Sequence, residues 1–401
     1  MVRHTKVFAF LLLPFLFFSP SLFAFSPADP AQAYSDGINH LFNLDFAEAE
    51  TVFRALTKDH PDNPDYWNVL GTTYWLKILY NQQKLDFESF SGKDRFGTIE
   101  SRDAGFEADE KQLRETVSKA MAAADAMLKK DPKSARAHYA KGSSYATLAS
   151  FEATIRRSNF TAARNAKNAR DEHLLVLRLD PNFHDAHAAV GIYNYAVGSL
   201  PLFVRLTLRL VGLGNGDKAG GIKDMEFAAL NGTRAATDAK MLLVVVYGRE
   251  ALHEKALTLV KELHARYPRN FMLDMSKASI YGRMKRWDLA AQTYREMAGK
   301  IMAHTNGYER MRIEKVYYEL ANSQFQGEKF AEAAATFDLV VRGAGASPNE
   351  KANSHLWMGR MADTRKERDE ALRHYNAVLE IECDPSLKSD ARGHIKRPFG
   401  R

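Results

Sequence analysis

Trp67-Asn-Val-Leu-Gly-Thr-Thr-Tyr74 is the stretch on which the reading of this chain turns. Trp67, Leu70, Gly71 and Tyr74 recur at helical spacing, with a glycine in the middle of an otherwise large apolar face. Gly71 has a counterpart at Gly37, 34 residues earlier, so the pattern has a period. After Gly37 come Ala49, Phe53, Leu56 and Pro61. Small residues let two helices approach, a large residue fills the space between neighbours, and the proline breaks the chain before the next helix.

The same unit can be followed outward through the sequence. The second copy, opened by Trp67, is interrupted and resumes at Ala120, Ala124, Met127 and Pro132. A third has His138, Gly142, Tyr145, Ala169, Val176 and Pro181, and a fourth has His187, Val190 and Gly191, then Met225 and Ala228. The fifth and sixth run Leu243, Tyr247, Ala256, Leu263, Pro268 and Ala278, Tyr281, Trp287, Ala290, Tyr294, Met297. The seventh reads Leu320, Ala321, Ala333, Phe337 and Val340, and the eighth Met358, Gly359, Ala371, Tyr375, Val378 and Pro385.

Together these residues resemble the tetratricopeptide repeat family, whose helix pairs bury their apolar faces only by stacking. The resemblance implies an all-α fold, a right-handed αα superhelix of about eight helix pairs. Residues 25–386 are expected to form this solenoid, with insertions near 81–110 and 198–221 and a basic C-terminal tail at 387–401.

Residues 1–24 read as a secretory leader. Arg3 and Lys6 precede an apolar core from Val7 to Phe18, and Ala24 offers a small residue for cleavage. The expected location is therefore periplasmic or extracellular, or membrane-associated if the leader stays on. The formal charge of +7 is spread over 401 residues. It lacks the basic stripe with interleaved aromatics that nucleic acid requires, so no nucleic-acid partner is expected. Lys388, Arg392, His394, Lys396, Arg397 and Arg401 form the one basic cluster, expected as a solvated, frayed tail. The single cysteine, Cys383, allows no internal disulfide, so packing alone must hold the fold.

The first insertion mixes aromatics and charges in Phe87-Glu-Ser-Phe-Ser-Gly-Lys-Asp-Arg-Phe96 and is expected to lean on the solenoid. The second holds an apolar run with Leu200, Phe203, Leu206, Leu210 and Leu213, and Arg205 and Arg209 four apart. A helix there is too short to span a bilayer. Its leading expectation is to cover the solenoid; a ligand lid and peripheral membrane contact through 200–213 are the others. Gly214-Asn-Gly216 carries the letters of a dinucleotide fingerprint without the strand that chemistry needs, and reads as a hinge.

No nucleophile elbow, phosphate loop or zinc-protease motif occurs, so neither catalytic residues nor a cofactor is expected. His173, His184 and His187 are a weak metal candidate. Histidine at 138 and 355 occupies the same repeat position as His187, which favours packing. Stacked first helices line the concave side of such a superhelix. Aligning the units places Asn68, Trp75, Tyr139, Tyr195, Arg249, Arg283, Tyr318, Asn322, Phe325 and Arg360 inward. Aromatics with sparse Arg and Asn suit an extended peptide. Family members that grip chaperone C-termini place Lys inward; here those positions hold Asn68, Tyr139, Ala188, Met241, Met275, Tyr318 and Leu356. The expected function is a non-enzymatic, exported scaffold with a protein or peptide partner in its groove. The alternative is a carrier of a small apolar ligand working with a transporter, residues 200–213 closing a pocket near Tyr195.

Overall fold

The computed structural model describes residues 29–85, 105–210 and 212–400. The leader and most of the first insertion, including Phe87 to Phe96, lie outside these residues. The described residues form eight antiparallel helix pairs. The first four are α1 (Pro30–Phe42) with α2 (Phe46–Asp59), α3 (Pro64–Asn81) with α4 (Glu107–Lys130), α5 (Ala135–Phe151) with α6 (Asn159–Leu179), and α7 (Ala186–Gly198) with α9 (Lys218–Asn231). A short helix, α8 (Leu202–Leu210), stands between the last two. Then follow α10 (Ala236–Arg249) with α11 (His253–Arg266), α12 (Phe271–Arg283) with α13 (Trp287–Met302), α14 (Ile313–Gln326) with α15 (Phe330–Arg342), and α16 (Pro348–Thr364) with α17 (Arg368–Glu380). A final helix, α18 (Pro385–Lys396), ends the stack.

Local chemistry explains where these helices begin. Asp29, Asn63 and Asp384 each accept a backbone N–H of the first turn, with proline at the next position supplying a ready-made φ. Ser347 and Glu350 close a reciprocal capping box on α16. The turns inside the pairs use a left-handed residue that is not glycine: Leu44, Gln83, Ala251, Lys285, Glu328 and Lys366 all have φ between 55° and 66°. Glycine's absence hides these turns from a sequence reading.

The small-against-large rule appears directly in the packing. A Cβ at Gly142 would lie 2.4 Å from the His173 ring, and one at Gly359 would lie 2.5 Å from Tyr375. His173 thus fills the place that Phe53 and Tyr375 fill in other pairs. Its imidazole is buried and donates from Nδ1 to the Ala169 carbonyl at 2.7 Å.

The solenoid also closes on itself. The ring of Phe42 lies 5.1 Å from that of Tyr267, and Asn270 Nδ2 donates to the Phe42 carbonyl at 2.8 Å. Arg269 clamps Asp45 and donates its backbone N–H to Asn43. Tyr80 Oη donates to Glu309 at 3.0 Å. One apolar core joins Leu41, Phe46, Tyr74 and Ile78 to Phe271, Tyr294, Met297, Val316 and Leu320. Pairs one to six therefore form a ring, and α14 is its last shared element.

Past α14 the chain forms an arm whose cores draw only on residues from Tyr318 onward. The segment expected as a frayed tail is in fact α18. Ala391 is fully buried and Leu387 and Ile395 pack with it against the last pair. The Arg368 guanidinium grips the His394 and Ile395 carbonyls, satisfying the end of α18. Half of this segment is apolar or small at helical spacing, which its basic charge obscures.

Candidate functional site

Ring closure divides the expected groove into two unlike halves. In the ring, side chains from five pairs meet on the axis. Arg234, which precedes α10, reaches Asp65 on α3 in a direct ion pair across the interior. Arg136 on α5 holds the same carboxylate at 3.1 Å. Asp185 accepts the backbone N–H groups of Thr233, Arg234 and Ala235 and the Thr233 hydroxyl, fixing the start of α10. Tyr34 and Tyr139 face this group, and the Tyr139 ring stacks on Phe183 at 4.7 Å. Burial, then Asp185 and the other nearby charges, push the Tyr139 phenol well up.

Asp238 completes the cluster. Its surface is exposed, yet protein crowds it on all sides, as it does any side chain facing an enclosed lumen. That crowding, with Asp185 beside it, pushes its carboxyl up to about 7. Among the described residues it has no hydrogen-bond or ion-pair partner. The interior is thus lined by charged and phenolic groups and bridged by Asp65–Arg234.

The arm is different. The Phe325 ring lies 4.6 Å from Trp357 and 5.4 Å from Phe330, and Tyr318 sits 6.0 Å from Phe337. Burial pushes the Tyr318 phenol up. Tyr318, Asn322, Phe325 and Trp357 thus share one half-buried aromatic strip spanning α14 and α16. Trp357 was absent from the sequence reading; its signal was a lone tryptophan, masked by the Met358-Gly359 packing motif beside it.

Five of the ten inward residues are committed elsewhere. Asn68 is buried, donating to the Ala140 carbonyl at 2.8 Å and accepting from Ser144 at 2.7 Å. Trp75 donates to Thr154 at 2.9 Å. Tyr195 is buried and donates to Glu250 at 2.9 Å, with Arg249 over its ring at 5.8 Å. Arg283 donates to the Gly248 carbonyl at 3.2 Å. Arg360 stacks on Trp357 at 4.7 Å and binds Asp390 of α18 at 3.1 Å, so it anchors the end helix and does not reach for a ligand. Tyr139 belongs to the lumen.

Tyr195 is therefore committed to the interior, and α8 fully buries none of its residues, so it covers little of the solenoid. The glycine-dense segment after it takes that place. A Cβ at Gly216 would fall 2.2 Å from the Gly198 nitrogen, and one at Gly221 would fall 2.5 Å from the Gly191 oxygen. These glycines allow backbone to lie on backbone; they are packing residues rather than a hinge.

Of the three candidate metal ligands, His173 and His187 have separate hydrogen-bond partners. His173 is in the third core, its imidazole pushed down to about 4 by burial. His187 pairs with Asp224 at 2.9 Å, and His184 and His187 both lie edge-on to Phe227. Two open clefts lie at helix ends and turns and between helices. One of about 610 Å³ lies between the turn regions around Trp287 and Gly327, at the junction of ring and arm. The other, about 310 Å³, lies between α11, α12 and α13, lined by His264 and Lys277.

Residues 34–77 match the family model described as tetratricopeptide repeat. Among curated proteins, none matches the sequence. Solved structures with a similar helical array include the human IFIT1 dimer with m7Gppp-AAAA, 16% identical over 91% of this chain and 81% of that chain, with a TM-score of 0.41. Pseudomonas aeruginosa pilF is 18% identical over 60% and 90%, TM-score 0.36. Yeast Tom70 is 14% identical over 92% and 89%, TM-score 0.35. None superposes closely enough to transfer a ligand to this chain.

Proposed function

We propose that this chain, of the tetratricopeptide repeat superfamily, is an exported, non-enzymatic scaffold that holds a protein or peptide partner on the inner face of its arm. One observation carries the reading. In the arm, Tyr318, Asn322, Phe325 and Trp357 are all half-buried, and the Phe325 and Trp357 rings meet across α14 and α16 to make one aromatic strip. Aromatic rings give contact area at low entropic cost, and an amide such as Asn322 can hold a peptide backbone. Stacked helix pairs suit such holding work. The leader residues Arg3 and Lys6, the run from Val7 to Phe18 and the small Ala24 support export.

A cross-linked pull-down from the cell-envelope fraction tests this. Phe325→Ala/Trp357→Ala is expected to lose a partner that wild type and Tyr139→Ala both recover. Loss with Tyr139→Ala alone would move the site into the lumen. Equal recovery by all three would take it off the inner face altogether.

A further inference from the structure

We propose that α8 is a membrane-docking helix that lies in the interface of an anionic lipid surface. The proposal is independent of the arm's role. Leu202, Phe203, Leu206 and Leu210 are 68%, 71%, 52% and 87% exposed. At 100° per residue they fall within one sector about 100° wide. Arg205 and Arg209 fall along one edge of that sector, Arg209 exposed and Arg205 half-exposed with its Nε buried, and the less exposed Val204 and Leu208 lie opposite it, toward the protein. This is how an interfacial helix is ordered: an apolar strip to enter the acyl boundary and guanidiniums beside it at headgroup level.

The mount is rigid. Tyr193 Oη donates to the Leu213 carbonyl, Leu213 is buried, and Gly216 and Gly221 lie backbone to backbone on α7. The helix is therefore held out on a firm base. Its nine residues span about 14 Å, well short of a hydrocarbon core of about 30 Å, so it lies on a bilayer and does not cross one.

Charge selects the occupant. No acidic residue occurs from 199 to 216, and among the described residues neither Arg205 nor Arg209 has an ion-pair partner. A second copy of the chain would bring these guanidiniums against their own counterparts, whereas phosphate headgroups neutralise them.

Protein purified from cells expressing the whole chain should co-sediment with vesicles of phosphatidylcholine containing phosphatidylglycerol, and far less with phosphatidylcholine alone. Arg205→Gln/Arg209→Gln should weaken this binding by up to roughly 30-fold, and salt should do the same to wild type. Phe203→Glu/Leu206→Glu should abolish it with an unchanged melting curve, since both side chains are exposed. Any leader is common to all variants, so vesicle binding that survives the Glu pair overturns the proposal. So does concentration-dependent dimerisation lost in the Glu pair without vesicle binding, which would assign the face to a second copy.

Discussion

Ring and arm are built from one repeat, yet they solve the problem of their inward faces in opposite ways. In the ring, pair one meets pairs five and six, and inward side chains are used up in cross-ring contacts such as Arg234 with Asp65. In the arm, a pair meets only its neighbours and α18 caps the end, leaving aromatics half-buried against one another. Position within a repeat therefore does not decide whether a residue is available to a partner. What decides it is whether another repeat has come round to meet it.

The largest test of that contrast is Asp274. This buried carboxylate receives Tyr308 at 2.6 Å and Lys300 at 2.7 Å, with His264 at 3.1 Å and Lys277 at 3.3 Å. Burial would raise its carboxyl, but the adjacent His264 and the hydrogen bonds from Lys300 and Tyr308 outweigh it and hold it well below the usual range. Asp274→Ala leaves two partly buried cations unanswered and should cost about 3–5 kcal/mol. Amide exchange should show protection lost through the ring and kept in α16 to α18. Equal loss in both would mean that ring and arm unfold as one unit.

Next comes closure itself. Arg269→Ala removes the Asp45 clamp and should cost about 1–3 kcal/mol, because the Asp45 carboxylate is nearly buried. Small-angle scattering should report a larger radius of gyration as the ring opens. Arg368→Ala is its counterpart in the arm. It takes the guanidinium, held at 2.8 Å, from Asp363, which keeps the Tyr375 hydroxyl and the Phe399 N–H, and it strands the α18 carbonyls, at a similar cost. That loss should fray α18 and leave the scattering of the ring unchanged. An unchanged radius in Arg269→Ala would show that apolar contacts such as Phe42 with Tyr267 close the ring unaided.

These tests bear on what the sequence could and could not reveal. The pairs were legible because each repeats the same local physics: Gly37 receives Phe53, Gly359 receives Tyr375, and a proline or a capping Asn or Asp starts the next helix. Closure was not. It rests on a small rotation summed over several pairs, and the residues that seal it, Asp45 and Arg269, are ordinary polar residues at turns. Hence Asn68, Tyr195 and Arg360, inward by register, proved to be occupied, whereas Tyr318, Asn322 and Phe325 are half-buried beside Trp357. The second insertion failed for a different reason. Its leucines drew attention as a covering helix, but its glycines can approach α7 more closely, so they took the packing site.

The smallest expected effect separates ring from arm by pH. Asp238 titrates near 7 in the folded ring and near 4 when unfolded. Between those values the folded state keeps a proton that the unfolded state has released, so this group makes the ring less stable as pH rises from 4 to 7, with no further change above. In the arm, His355 lies 3.0 Å from His374, and burial and that neighbour push its imidazole down to about 4. Here the unfolded state takes the extra proton, so the arm loses stability as pH falls from about 6.5 to 4. His173 works against Asp238 within the ring, so variants rather than wild type isolate each slope. Asp238→Asn should raise ring protection at pH 8 by about 1 kcal/mol or less, water screening the exposed carboxylate. His355→Phe should flatten the acid slope in α16 and α17 and leave α10 unchanged. If Asp238→Asn has the same protection as wild type at pH 8, the lumen admits enough water to solvate its charge, and the crowding that distinguishes ring from arm is only geometric.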